Sequence, residues 1–210
     1  MILRTTGPNR KAQRFLTGSS RVCLDLKTFL RESSKKDPET TVYRGTMFEL
    51  QTLEAFQELG MRLHHVGGRS DKGVDLRGDW PLKRLTATLS NTHVIAQCKN
   101  LKMGCTPDHM RALIGTIVTD SAAAGKDVLG ILATVSHRQF TSDVLAYFTG
   151  SQVALGLAKI EGTQVQSLMF NEAAKSILQG LAITVRYSSD GKAMPVLTYN
   201  GEILNIEVNQ

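Results

Sequence analysis

Cysteine is scarce in this chain. Three (Cys23, Cys98, Cys105) stand among 210 residues. The odd number and the lack of a C-x-x-C pair exclude a disulfide framework and a zinc ribbon, and a reducing compartment suits such a chain. No stretch nears the roughly 18 consecutive apolar residues of a spanning helix, so no membrane span is expected. The opening residues carry no apolar core of the secretory kind. No P-loop is present, and no G-x-S-x-G elbow supports a serine hydrolase. Gly67, Gly68 and Gly73 precede a strand pattern, not a helix, which excludes a dinucleotide fingerprint. Aromatics make up 6% of the residues and form no run. Base stacking is therefore not expected, and any nucleic-acid contact should be backbone-dominated and weakly sequence-specific.

Excess positive charge is also lacking over most of the chain, despite a net charge of +6. Residues 1–36 hold nine Lys and Arg (Arg4, Arg10, Lys11, Arg14, Arg21, Lys27, Arg31, Lys35, Lys36) against Asp25 and Glu32, a balance of +7 that leaves the other 174 residues at −1. Any footprint for nucleic acid on the globular part must come from a local cluster. The arm has Arg, Ser and Thr and no acid before Asp25, the composition of a mitochondrial transit peptide. A phosphate-tracking arm and a solvated tail use the same residues.

The stretch 33–41 reads as a polar linker, and the folded unit is expected to begin near Tyr43. Phe48, Leu53, Phe56 and Leu59 recur at helical spacing, predicting a helix over 46–59 that Gly60 closes. Strands are predicted over 62–66, 74–78 and 93–99. Thr106-Pro107-Asp108 starts a helix that runs to about 124, with a capping hydroxyl, a proline at the first position and an acid behind it. The apolar run 128–135 suits a parallel strand buried on both faces. A helix over 139–148, strands over 153–160 and 164–169 and a helix over 172–179 follow. Strands over 183–187, 195–199 and 202–208, joined at Asp190-Gly191 and Asn200-Gly201, form a β-meander, since such dipeptides favour type I′ turns. This divides the chain into a basic arm (1–42), an α/β core (43–170) and an extension of helix and meander (171–210). No internal repeats are found.

Three pieces of this pattern carry chemistry. Glu49 falls at i, i+4, i+7 with Leu53 and Phe56, which turns its carboxylate toward the apolar face, where it needs a cation, a metal or donors. An edge position near the helix N-terminus is the plainer reading. Asp75 interrupts an apolar strand after a Gly-rich turn, as an oxygen ligand for a hard divalent ion or as a turn cap. Gln97 and Lys99 lie two apart on a strand and so project from one face. Lys99 can stabilise the extra charge of a pentavalent phosphate, or can simply snorkel. Zinc ligation by His64-His65 or by Cys105-x₃-His109 is set aside because four convergent ligands are not in sight.

The ordered set Gly45-x₃-Glu49, Gly68…Gly73-Val74-Asp75-Leu76 and Ile95-Ala96-Gln97-Cys98-Lys99, spaced by 26 and 22 residues between Glu49, Asp75 and Gln97, resembles the Mrr-type branch of the PD-(D/E)XK nucleases. That branch often has Gln where other members have Glu. With the mitochondrial-looking arm and the chain length, it resembles the fungal family "required for respiratory growth protein seven". The resemblance covers about 43–135. It implies a restriction-endonuclease-like mixed central sheet flanked by helices. It also implies a site with Asp75, Gln97 and Glu49 as ligands to Mg²⁺ (or Mn²⁺) and with Lys99 as the catalytic lysine.

The expected activity is metal-dependent endonucleolytic hydrolysis of phosphodiester bonds, in DNA by preference, in mitochondria. Arg69, Lys72, Arg77, Lys83, Arg84, Lys102 and Arg111 are the expected phosphate contacts. A homodimer is the partner expectation, since many enzymes that cut both strands dimerise. No proline precedes Asp75, and Gln97 removes one negative charge from the metal site. The alternative is a catalytically weak relative that binds nucleic acid or protein in mitochondrial genome maintenance and respiratory growth.

Overall fold

The computed structural model describes residues 25–34, 37–66, 73–84, 87–124, 127–187, 189, 191 and 193–204. It is a mixed α/β fold: a six-stranded mixed sheet flanked by helices, with a separate antiparallel sheet at the C-terminus. In chain order the elements are α1 (Leu26–Glu32), α2 (Thr41–Glu58), β1 (Arg62–His65), β2 (Leu76–Arg84), β3 (Ala87–Lys99), α3 (Pro107–Ala124), β4 (Val128–Val135), α4 (Ser142–Gly150), β5 (Leu155–Glu161), β6 (Gln164–Phe170), α5 (Glu172–Ile177), β7 (Leu181–Tyr187), β8 (Ala193–Tyr199) and β9 (Glu202–Ile203).

The strands of the large sheet follow chain order. β1, β2 and β3 form an antiparallel ladder, β3, β4 and β5 run parallel through the crossover helices α3 and α4, and β6 closes the edge antiparallel. β4 is buried along nearly its whole length, as a central parallel strand covered on both faces must be. One core lies between the sheet and α2, around Phe56, Leu76, Ala96, Leu129 and Ile131. The other lies under α3 and α4, around Ile95, Met110, Ile117, Leu132 and Val144. Odd-numbered residues of β3 such as Ile95 thus face α3, and even-numbered ones such as Ala96 and Cys98 face α2.

Several expectations shift. The folded unit reaches back to α1, within the stretch read as arm and linker. Asp25 caps α1 by accepting from the Thr28 amide at 2.7 Å, and Phe29 is buried, with its ring 5.1 Å from that of Tyr43. α2 starts five residues before the predicted onset, because Thr40 caps it through the Tyr43 amide. Gly60 ends it at φ 78°, the left-handed conformation that glycine adopts freely. β2 extends through Pro81, which a strand tolerates here because β1 pairs only Leu76 to Asp79 and leaves β2 an open edge beyond. α4 begins at Ser142, not at Gln139, with Thr141 as its cap. The meander forms its own sheet, β7-β8-β9. Asn200 (φ 50°) and Gly201 (φ 85°) make the positive-φ pair expected of its last turn. The final predicted strand is described only to Ile203, and residues 205–210 lie outside the described residues.

Candidate functional site

The candidate site sits where the β2–β3 ladder begins. Leu76 pairs with Ala96, so Asp75 stands one step further on, across from Gln97. The Asp75 amide donates to the Ala96 carbonyl at 2.9 Å, and its own carbonyl accepts from Val66 at 2.9 Å. One Asp75 carboxylate oxygen, Oδ2, accepts from the Cys98 amide at 2.6 Å. The side chain thereby takes over a ladder amide and fixes the carboxylate against β3. Asp75 is 8% exposed and Gln97 5%. Gln97 Oε1 is buried and accepts no hydrogen bond. Its Nε2 lies against Gly73, where a Cβ would come within 2.8 Å. A buried amide oxygen without a donor is costly unless something electropositive meets it.

Lys99 shares the face of Gln97 and is half-buried. Its carbonyl accepts from the Thr134 hydroxyl at 3.0 Å, which ties the end of β3 to the parallel neighbour β4. Cys98 points the other way, toward Thr52 of α2. Burial pushes its thiol well above the ordinary range, and the charges of Asp75 and Glu49 push it further while Lys99 opposes them. The charges of Asp75, Glu49 and Lys99 thus all reach one sulfur. On the α3 side, Cys105 is raised by burial, with the Thr134 hydroxyl and Lys99 opposing. His109 is held below its usual range by burial first and then by Lys99.

Glu49 is not left to solvent. Its Oε2 lies 2.6 Å from Nε2 of His65, the last residue of β1, with side-chain exposures of 19% and 8%. The other ring nitrogen, Nδ1, is buried and without a partner. His65, set aside on sequence grounds as a zinc ligand, is the neighbour of the helix acid. The signal was there: Leu63 and His65 share one strand face, and Leu63 is buried. Among the described residues, no three His, Cys, Asp or Glu gather in a metal-holding group. Besides the two acids Asp75 and Glu49, this region offers the Gln97 carbonyl oxygen, buried and without a donor.

The expected phosphate contacts fare unevenly. Arg77 forms an ion pair with Asp120 of α3, and Arg111 is held by Asp108 and by Tyr147, whose ring it covers at 4.9 Å. Lys102 is exposed. Arg69 and Lys72 lie outside the described residues, as do the side chains of Lys83 and Arg84. No helix among the described residues is long and apolar enough to cross a membrane.

Comparison with known proteins bears on identity. The family described as "Required for respiratory growth protein 7" matches residues 40–93 and 86–189. An uncharacterized mitochondrial protein of Schizosaccharomyces pombe is 31% identical over 169 residues, 78% of this chain and 65% of its own length. A mitochondrial required for respiratory growth protein 7 of Zygosaccharomyces rouxii is 38% identical over 56 residues, 26% of this chain and 23% of its own. One of Eremothecium gossypii is 28% identical over 120 residues, 55% of this chain and 47% of its own. The chain thus spans less than two thirds of each of these relatives. No solved structure matches. The protein is mitochondrial, like these relatives, and the chain belongs to the required for respiratory growth protein 7 family.

Proposed function

We propose that this chain serves respiratory growth in mitochondria through a PD-(D/E)XK-type site that hydrolyses phosphodiester bonds, in DNA by preference, with a bound Mg²⁺ or Mn²⁺, on a restriction-endonuclease-like sheet. Family membership supports the setting. The chemistry rests on one observation: a buried, unpartnered Gln97 Oε1 that stands across from Asp75 and beside Lys99.

Asp75, Glu49 and the Gln97 carbonyl would hold the ion, an all-oxygen set of the kind hard cations take. When bound, such an ion neutralises phosphate oxygens and makes a nearby water more acidic. Asp75 enters that arrangement with Oδ2 fixed by the Cys98 amide, so its carboxylate needs little reordering to hold a cation. Lys99 carries its ammonium on the same strand face, where it would meet the negative charge that builds on the phosphoryl oxygens as the scissile bond lengthens. Its backbone is fixed by Thr134, and positioning of this sort is worth more than flexible charge.

The test is cleavage of DNA and RNA substrates by the purified protein with Mg²⁺ or Mn²⁺. Asp75→Ala and Lys99→Ala are each expected to lower the rate by about 10²–10³-fold with folding intact, and Gln97→Glu to keep or raise it. A wild-type protein that cuts nothing overturns this reading.

A second reading is favoured by the neutral Gln97, which leaves the metal site with two acids, one already shared with His65. On that reading the chain is a binding factor for nucleic acid or protein in mitochondrial genome maintenance. It is the reading left standing if substrates are bound and remain uncut.

A further inference from the structure

Resting on the metal site just proposed, we infer that His65 is a positioning residue for Glu49: it holds one carboxylate oxygen of the α2 acid from β1 and so leaves the other aimed for a divalent cation. A carboxylate accepts and cannot donate, so His65 Nε2 carries the proton in the 2.6 Å contact with Oε2. The ring is 92% buried by its side-chain exposure of 8%, yet Nδ1 meets no partner. A histidine kept for a packing network would have both nitrogens satisfied; this one is satisfied only where it touches Glu49. Glu49 Oε1 takes no hydrogen bond from the described residues and lies near Gly45, where even a Cβ would stand 3.9 Å away in ordinary contact.

The strand geometry makes this useful. His65 pairs with Leu76, the neighbour of Asp75, so the residue that orients the helix acid is set one step from the strand acid. The β1–β2 ladder fixes the distance between them. Glu49 comes from a helix and Asp75 from a strand end, and His65 is a side-chain link from the β1–β2 ladder to the first. Partners that orient a metal-binding carboxylate typically govern affinity by about 10–100-fold.

Mn²⁺ binding to the purified full-length chain, read from the paramagnetic resonance of free Mn²⁺, tests this apart from any cleavage. His65→Ala is expected to weaken binding about 10–100-fold. His65→Gln, with an N–H close to the Nε2 position, should restore most of it. His65→Asn, too short to reach Glu49, should behave as the alanine variant and replaces it should that variant unfold. In a Glu49→Gln background, His65→Ala should cause no further loss. Unchanged affinity in His65→Ala and His65→Asn overturns the inference, as does a full additional loss in the Glu49→Gln background. Wild-type protein that binds no Mn²⁺, or an Asp75→Ala variant that binds it as wild type does, overturns the metal site itself and takes the inference with it.

Discussion

Gly73 decides how close the Gly-rich turn comes to the site. Its φ of 79° is a left-handed conformation, and a Cβ there would fall 2.8 Å from Gln97 Nε2. Gly73→Ala therefore combines backbone strain of roughly 1–2 kcal/mol with displacement of an amide whose oxygen is buried and unpartnered. Gly162 provides the control: it has φ 56° with nothing within 4 Å of its virtual Cβ, so Gly162→Ala carries the strain alone. Both variants should lose a few degrees in Tm, about 2–4 °C per kcal/mol in a chain of this size. Only Gly73→Ala should also lose cleavage and Mn²⁺ affinity, by about tenfold or more. Equal behaviour of the two would show that Gln97 tolerates being moved and is not a ligand. At this scale the sequence was legible for the shared strand face of Gln97 and Lys99, which alternation along β3 fixes. It put His65 on the strand face of Leu63 but did not reveal its contact with Glu49. The residue's role comes from a contact sixteen positions away across an element boundary, and no local period encodes that.

Among the elements, those with their own start and stop signals were readable and those held by tertiary packing were not. α3 and β4 appear where Thr106-Pro107-Asp108 and the run of Val128 to Val135 put them. α1, at seven residues, is too short to persist alone. It exists because Phe29 packs on Tyr43, a partner on the far side of what reads as a linker. Asn171 is a sharper case. It looks like an ordinary helix cap, and its Oδ1 does accept from the Ala174 amide at 2.9 Å. The same oxygen accepts from Leu155 at 2.9 Å, and Nδ2 donates toward the carbonyls of Phe148, Ser151 and Val153 at 3.2, 3.2 and 2.8 Å. One buried side chain thus joins the end of α4, the start of β5 and the start of α5. Asn171→Ala removes a cap and strands several buried backbone groups, so a loss of about 3 kcal/mol is expected in denaturant unfolding. Asn171→Asp keeps the cap oxygen but turns an acceptor toward three carbonyls, and should do no better. A change under about 0.5 kcal/mol, the range of ordinary surface substitutions, would reduce Asn171 to a cap of no tertiary consequence.

Over the whole molecule, charge sets what the fold can hold. The five cations of residues 1–24 (Arg4, Arg10, Lys11, Arg14, Arg21) face no acid there, so the remaining 20 Lys and Arg meet 19 Asp and Glu and the rest of the chain is close to neutral at +1. Such an arm has the composition of a transit segment, and a fold that held nucleic acid after its removal would bind phosphate by itself. Two of its arginines are already committed, Arg77 to Asp120 and Arg111 to Asp108 and Tyr147. A nucleic acid on this fold would then lean on Lys99 and Lys102 more than a count of basic residues suggests. The consequence is measurable in the full-length chain with those five arm cations replaced by glutamine. Each phosphate neutralised contributes about 0.9 to the slope of log K against log salt. If the fold holds the nucleic acid, the slope changes by less than about one charge's worth, and Lys102→Gln lowers it further. If instead the slope collapses toward zero, the arm was the binding element, and the face around Asp75 and Lys99 has no claim on a phosphate backbone.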